Sequence, residues 1–133
     1  MTEPGPLAIT ANDGVVLARQ QVRALAQSCR LSLVDQTKLV TAASELARNT
    51  LLHGGGGTMT AALVDDRGRR GVRVVFADQG PGIPDVDLAL TDGWTSGTGL
   101  GLGLSGSRRL VDDFVLETAP GAGTTVTITK WAR

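Results

Sequence analysis

With 133 residues and a mass of 13.7 kDa, the chain has the size of one domain, and its 41% hydrophobic and 20% charged residues suit a single packed core spanning 1–133. Lys plus Arg equals Asp plus Glu at 13 each, so a formal net charge of +0 excludes a global field that would draw in nucleic acid or an anionic membrane. The single cysteine, Cys29, excludes an internal disulfide and a cysteine-based metal cluster.

In chain order, residues 7–10 are apolar enough for a first strand, and Asn12 or Asp13 can then cap a helix. Val15, Ala18, Val22, Leu25, Ala26 and Cys29 recur at three- and four-residue steps, with Arg19, Arg23, Gln27 and Arg30 on the other side. That spacing predicts an amphipathic helix with Cys29 in the core. A second helix is predicted from Leu33 to about Leu52, buried along Leu39, Ala43, Leu46, Ala47 and Thr50. A polar line, Thr41, Glu45, Asn49 and His53, follows it at four-residue spacing, and the glycines from Gly54 end it. The β-rich runs 58–64 and 72–77, joined by a charged turn at 65–71, predict an antiparallel hairpin. Residues 79–84 form a Gly/Pro turn, and 85–106 a weakly structured glycine-rich segment. A helix at 105–113 and a closing hairpin, 114–118 and 124–130 over a turn at 120–123, complete the chain. These elements predict a two-layer α/β sandwich with helices on one face of a mixed, mostly antiparallel sheet. No apolar run approaches the roughly 20 residues of a membrane span, and MTEPGPLAIT has no signal-peptide core, so a cytoplasmic protein is expected.

Four groups of residues could carry chemistry. Glu45 and Asn49 stand one helical turn apart; a carboxamide oxygen is a hard Mg²⁺ ligand, and the carboxylate can take a hydroxyl proton. The plain alternative is an exposed pair on a solvated helix. In Asp78-Gln79-Gly80-Pro81-Gly82, the acidic group at a strand end can accept a hydrogen bond from an exocyclic amine, and the glycines admit a planar ring. A simple Asp-x-Gly turn is the alternative. Gly97-Thr98-Gly99-Leu100-Gly101-Leu102-Gly103 exposes backbone N–H groups before a helix and so favours phosphate, or is a glycine-rich lid with no ligand. No Gly-Lys-Ser/Thr follows it, no strand feeds directly into it, and the chain has neither His-Arg-Asp nor Asp-Phe-Gly. Gly121-Ala122-Gly123-Thr124 enters the last strand, where the threonine could close an adenine pocket or simply end a hairpin turn.

In this order the four groups resemble the ATP-binding boxes of the GHKL superfamily, which includes gyrase, Hsp90, histidine kinase and MutL ATPases. Ser44-Glu45-Leu46-Ala47-Arg48-Asn49, Asp92-Gly93-Trp94, Ser107-Arg108-Arg109-Leu110-Val111-Asp112-Asp113 and the Lys130-Trp131 end narrow the likeness to RsbT-type switch kinases, over essentially the whole chain. The resemblance implies an ATP- and Mg²⁺-dependent serine/threonine kinase of bacterial partner-switching stress signalling. Its implied substrate is a small STAS-domain protein, and its implied second partner is a PP2C-type phosphatase activated by the free kinase. Glu45 would be the general base, Asn49 the Mg²⁺ ligand, and Asp78 the acceptor for the adenine amine. Gly80, Gly82 and Thr124 would line the ring. Gly97, Thr98, Gly99, Leu100, Gly101 and Gly103 would wrap the phosphates within a lid at 83–103. The sequence departs from some relatives in having no Lys or Arg between Asp78 and Ser107, which leaves the helix N-terminus, Mg²⁺ or Arg108 to neutralise the terminal phosphate. His53, the only histidine, is expected at the pocket rim or as a helix cap. Against the kinase stand an ATP-dependent binding module of anti-sigma type, a detached histidine-kinase ATPase domain, and an ATPase without an acceptor.

Overall fold

A computed structural model describes residues 6–80, 103–119 and 121–132. Its elements are β1 (Leu7–Ile9), α1 (Asn12–Ser28), α2 (Leu33–Leu52), β2 (Gly57–Asp66), β3 (Arg69–Asp78), α3 (Gly103–Arg109), β4 (Asp113–Thr118) and β5 (Thr124–Trp131). The strands form one five-stranded sheet in the order β1-β2-β3-β5-β4. Where a mixed sheet was expected, every pairing among the described residues is antiparallel.

Alternation along the strands decides the layering. Met59 and Ala61 of β2 stand opposite Phe76 and Val74 of β3, which in turn pair with Val126 and Ile128 of β5. All six are buried together with Ala18, Val22 and Ala26 of α1 and Leu39, Ala43, Leu46 and Ala47 of α2. The helices therefore cover one face of the sheet, and the core is the seam between the two layers. Each residue of the predicted α2 stripe is buried, and Cys29 is buried at 4% exposure.

Helix ends show where the sequence reading was overruled. Neither Asn12 nor Asp13 caps α1; the cap position is Ala11, without a side-chain bond, and Gly14 N–H reaches Ala11 O at 2.9 Å. The reason is tertiary: a Cβ on Gly14 would lie 2.8 Å from Ala8 O, so α1 starts where it can lie against β1. In contrast, α2 has a local cap, Ser32 Oγ accepting Asp35 N–H at 3.1 Å. The third helix occupies Gly103–Arg109 rather than 105–113. It stops early because Asp112 N–H bonds Thr129 O at 3.0 Å and so joins the sheet. The charged stretch read as a long turn is mostly strand. Asp65 and Asp66 pair with Arg70 and Arg69, leaving a two-residue turn at Arg67 and Gly68 with φ of 57° and 82°.

Candidate functional site

The site starts on α2. The Glu45 carboxylate is only 13% exposed, and its Oε1 lies 3.3 Å from Arg48 Nη1. It borders a cavity of about 160 Å³ between α1 and α2, lined also by Arg19, Arg23, Thr37, Val40, Thr41 and Ser44. Arg19 and Arg23, one helical turn apart, thus line the groove that Glu45 borders. A turn further on, Asn49 is half-buried, and its carbonyl accepts both His53 N–H at 2.9 Å and Gly54 N–H at 3.2 Å. His53 is the C-cap of α2 and is exposed, as a capping role predicts.

Gly54 links this helix end to Asp78. A Cβ on Gly54 would lie 2.6 Å from Asp78 Oδ2, so only glycine lets the two segments close up. Gly80 folds onto the same place, with its own Cβ position 2.8 Å from Gly54 Cα. Asp78 ends β3, where it pairs with Gly57 on one side and Thr124 on the other. Its Oδ1 accepts N–H bonds from Gly80 at 2.9 Å and Thr124 at 3.2 Å. Both bonds to described residues fall on Oδ1, which fixes the carboxylate plane and turns Oδ2 towards Gly54. The Thr124 hydroxyl lies 3.0 Å from Thr118 Oγ1, which also donates to Gly123 O at 3.1 Å. A Cβ on Gly123 would run into Asp78 O, a second close approach.

The structure therefore joins Asn49, Asp78, Gly80 and Thr124 through Gly54 and Gly123, with Glu45 one turn back along α2. Gly103 opens α3, which packs against α2. Gly82, Gly97, Thr98, Gly99, Leu100 and Gly101, and the lid assigned to 83–103 short of Gly103, lie outside the described residues. Arg108 is exposed in the last turn of α3, where a basic residue suits the helix dipole. Sequence reasoning missed Thr118, Arg19 and Arg23 as neighbours of the site. Gly54 was legible as a helix stop, but its closeness to Asp78 is a through-space fact.

No group of three His, Cys, Asp or Glu side chains that could hold a metal occurs among the described residues. A single carboxamide oxygen, that of Asn49, suits Mg²⁺, which keeps several waters and takes most other ligands from phosphates. The Cys29 thiol lies outside this site; burial pushes its pKa up, partly opposed by Arg70.

Residues 34–133 match the family of histidine kinase-, DNA gyrase B-, and HSP90-like ATPases. The chain belongs to this ATPase family. Its match includes α2, the Asp78 turn and Thr124, the segments that meet around Gly54. Among curated relatives of this ATPase-family chain, the Serine/threonine-protein kinase RsbT of Bacillus subtilis (strain 168) is 44% identical over 119 residues, 90% of each chain. An Anti-sigma F factor of Caldanaerobacter subterraneus subsp. tengcongensis is 28% identical over 122 residues, covering 86% of this chain and 82% of its own. The solved RsbU and RsbW domains of Rv1364c from Mycobacterium tuberculosis share the fold with a TM-score of 0.65 at 24% identity, over 98% of this chain and 33% of theirs. The present chain thus spans about a third of that structure. The mycobacterial sensor histidine kinase MprB also shares the ATPase fold, with a TM-score of 0.55 at 21% identity over 99% of each chain. No described helix is long and apolar enough to cross a membrane.

Proposed function

We propose that this chain is a Mg-ATP-dependent serine/threonine protein kinase of a bacterial partner-switching stress pathway. Its substrate is a STAS-domain protein, and when released it activates a PP2C-type phosphatase. The observation that carries the reading is Glu45. Its side chain is largely withdrawn from solvent, borders an open groove, and stands one turn from Asn49. Binding alone requires no base there. The 44% identity to a serine/threonine-protein kinase over nine-tenths of both chains supports the same conclusion.

In this reading Asp78 orients adenine through Oδ2, its other oxygen being held by Gly80 and Thr124. Asn49 holds Mg²⁺, which neutralises phosphate charge when bound. The acceptor hydroxyl enters by the groove between α1 and α2 and gives its proton to Glu45. Its oxygen bonds the γ-phosphorus, and the bond to the β-phosphate oxygen breaks, releasing ADP. Arg48 Nη1, 3.3 Å from Oε1, holds the Glu45 carboxylate in place and leaves Oε2 to face the hydroxyl. Arg19 and Arg23 supply positive charge at the groove, where the lid sequence has none.

A second reading, an anti-sigma-type module in which ATP stabilises a docking surface, draws on the 28% identity to an Anti-sigma F factor. One experiment separates the two. Radiolabelled Mg-ATP is incubated with the chain and with STAS-domain proteins encoded beside its gene, and the modified residue is mapped. The kinase gives acid-stable phosphoserine or phosphothreonine, and Glu45→Ala lowers transfer by about 10²–10⁴-fold while ATP still binds. Transfer by Glu45→Ala equal to the parent's removes Glu45 as base. Binding of partners without transfer establishes the module instead.

A further inference from the structure

We infer that Lys130 is a positioning residue for the nucleotide site: its buried ammonium ties together, at one joint, three of the segments that carry that site. Along β5, Val126 and Ile128 face the helices, and Lys130 is the next residue in that alternation, opposite Val72. A cation therefore occupies a core position, with its side chain 6% exposed. Its Nζ lies 3.5 Å from Asp35 Oδ1 and 3.4 Å from Asp112 Oδ1.

The two carboxylates come from different parts of the chain. Asp35 is in the first turn of α2, its N–H held by Ser32 Oγ. Asp112 follows α3 and is gripped from three sides. Its N–H donates to Thr129 O, its Oδ1 faces Lys130, and its Oδ2 accepts Trp131 N–H at 2.8 Å. The joined elements are thus α2, the exit from α3, and β5. The same three carry Glu45 and Asn49, Gly103, and Thr124 away from the joint. Ten residues separate Asp35 from Glu45, roughly 15 Å along a helix, so Lys130 is outside reach of the chemistry.

Stability alone is a poor account of this arrangement. Desolvating a cation and two carboxylates offsets much of their attraction, and well-packed apolar replacements commonly match such clusters in stability. What the ion cluster adds is direction. With 7 residues, α3 is too short to be stable by itself, so its placement is set by what its ends are tied to.

The inference rests on the proposed nucleotide site, and calorimetric titration with Mg-ATP separates the two. The triple variant Lys130→Met, Asp35→Asn, Asp112→Asn removes the three charges named above. It is expected to melt within about 3 °C of the parent yet bind Mg-ATP about tenfold more weakly, while Lys130→Arg stays within about threefold of the parent. A folded triple variant with parental affinity overturns the positioning role and leaves the nucleotide site standing. A parent that binds no Mg-ATP overturns the nucleotide reading and this inference with it. Should the triple variant not fold, Asp112→Asn alone decides by hydrogen exchange. Faster exchange at 104–109 with α1 unchanged, and weaker Mg-ATP binding, is the expected result; parental exchange at 104–109 refutes it.

Discussion

Asp78 presents one carboxylate with two inequivalent oxygens at the proposed nucleotide site. Because Gly80 and Thr124 N–H groups both fall on Oδ1, an asparagine can keep those bonds by placing its carbonyl oxygen there. Its NH₂ would then meet the adenine amine, donor against donor. Asp78→Asn is therefore expected to melt like the parent but lose ATP affinity by about 10–100-fold, the penalty of a buried mismatched polar group. Calorimetric titration checks this, and unchanged affinity would displace adenine from Asp78. Gly54 offers an independent probe. A methyl group there must push Asp78 aside, since its position is 2.6 Å from Oδ2. Gly54→Ala should weaken ATP binding while Gly55→Ala, at a φ of 74° but with nothing close, affects folding alone. Asp78 was legible in the sequence as an acid closing a strand. Gly54 was legible as a helix stop within a glycine cluster, but nothing local reveals that β3 ends against it.

At the scale of elements, α2 is the best-specified segment, with a side-chain cap, an unbroken apolar stripe and glycines after it. Removing the cap by Ser32→Ala is expected to lower stability by about 1 kcal/mol, seen as a lower denaturant midpoint at constant slope. The β2–β3 turn lies at the opposite extreme. Arg67 adopts a φ of 57°, which costs an ordinary residue about 1–2 kcal/mol and asparagine less. Arg67→Asn next to Gly68 should accordingly raise the denaturant midpoint. The hairpin itself was legible; its length was not. Charged residues read as loop from sequence, yet Asp66 and Arg69 extend the ladder, with an ion pair at 3.5 Å where both strands project past the core.

For the molecule as a whole, the decisive feature is one core shared by two layers. Phe76 sits at its centre, 2% exposed and paired with both Met59 and Val126. Phe76→Ala should cost about 3–5 kcal/mol by equilibrium unfolding. Cys29 adds a pH dependence. Burial, only partly opposed by Arg70, holds its thiol above the ordinary value, so the folded chain binds this proton more tightly than the unfolded one. Below the thiol's unfolded pKa, about 8.5, this has no effect; as pH rises through it towards the raised folded value, stability falls. Between pH 7.5 and 9.5 the parent should therefore lose more unfolding free energy than Cys29→Ala, and native Cys29 should react slowly with a thiol reagent.

The sequence by itself determined the periodic features: two amphipathic helices, two hairpins, and the burial of Cys29 and the α2 stripe. These are written in spacings of two, three and four residues, which any window of the chain displays. Only the tertiary structure decided where elements stop and what meets across them. The packing of Gly14 onto Ala8, the bond from Asp112 to Thr129 beyond the end of α3, the meeting of Gly54 with Asp78, and the burial of Lys130 between Asp35 and Asp112 all depend on contacts through space. Close approach and charge pairing depend on distance in space, and that distance exists only once the helices have settled on the sheet.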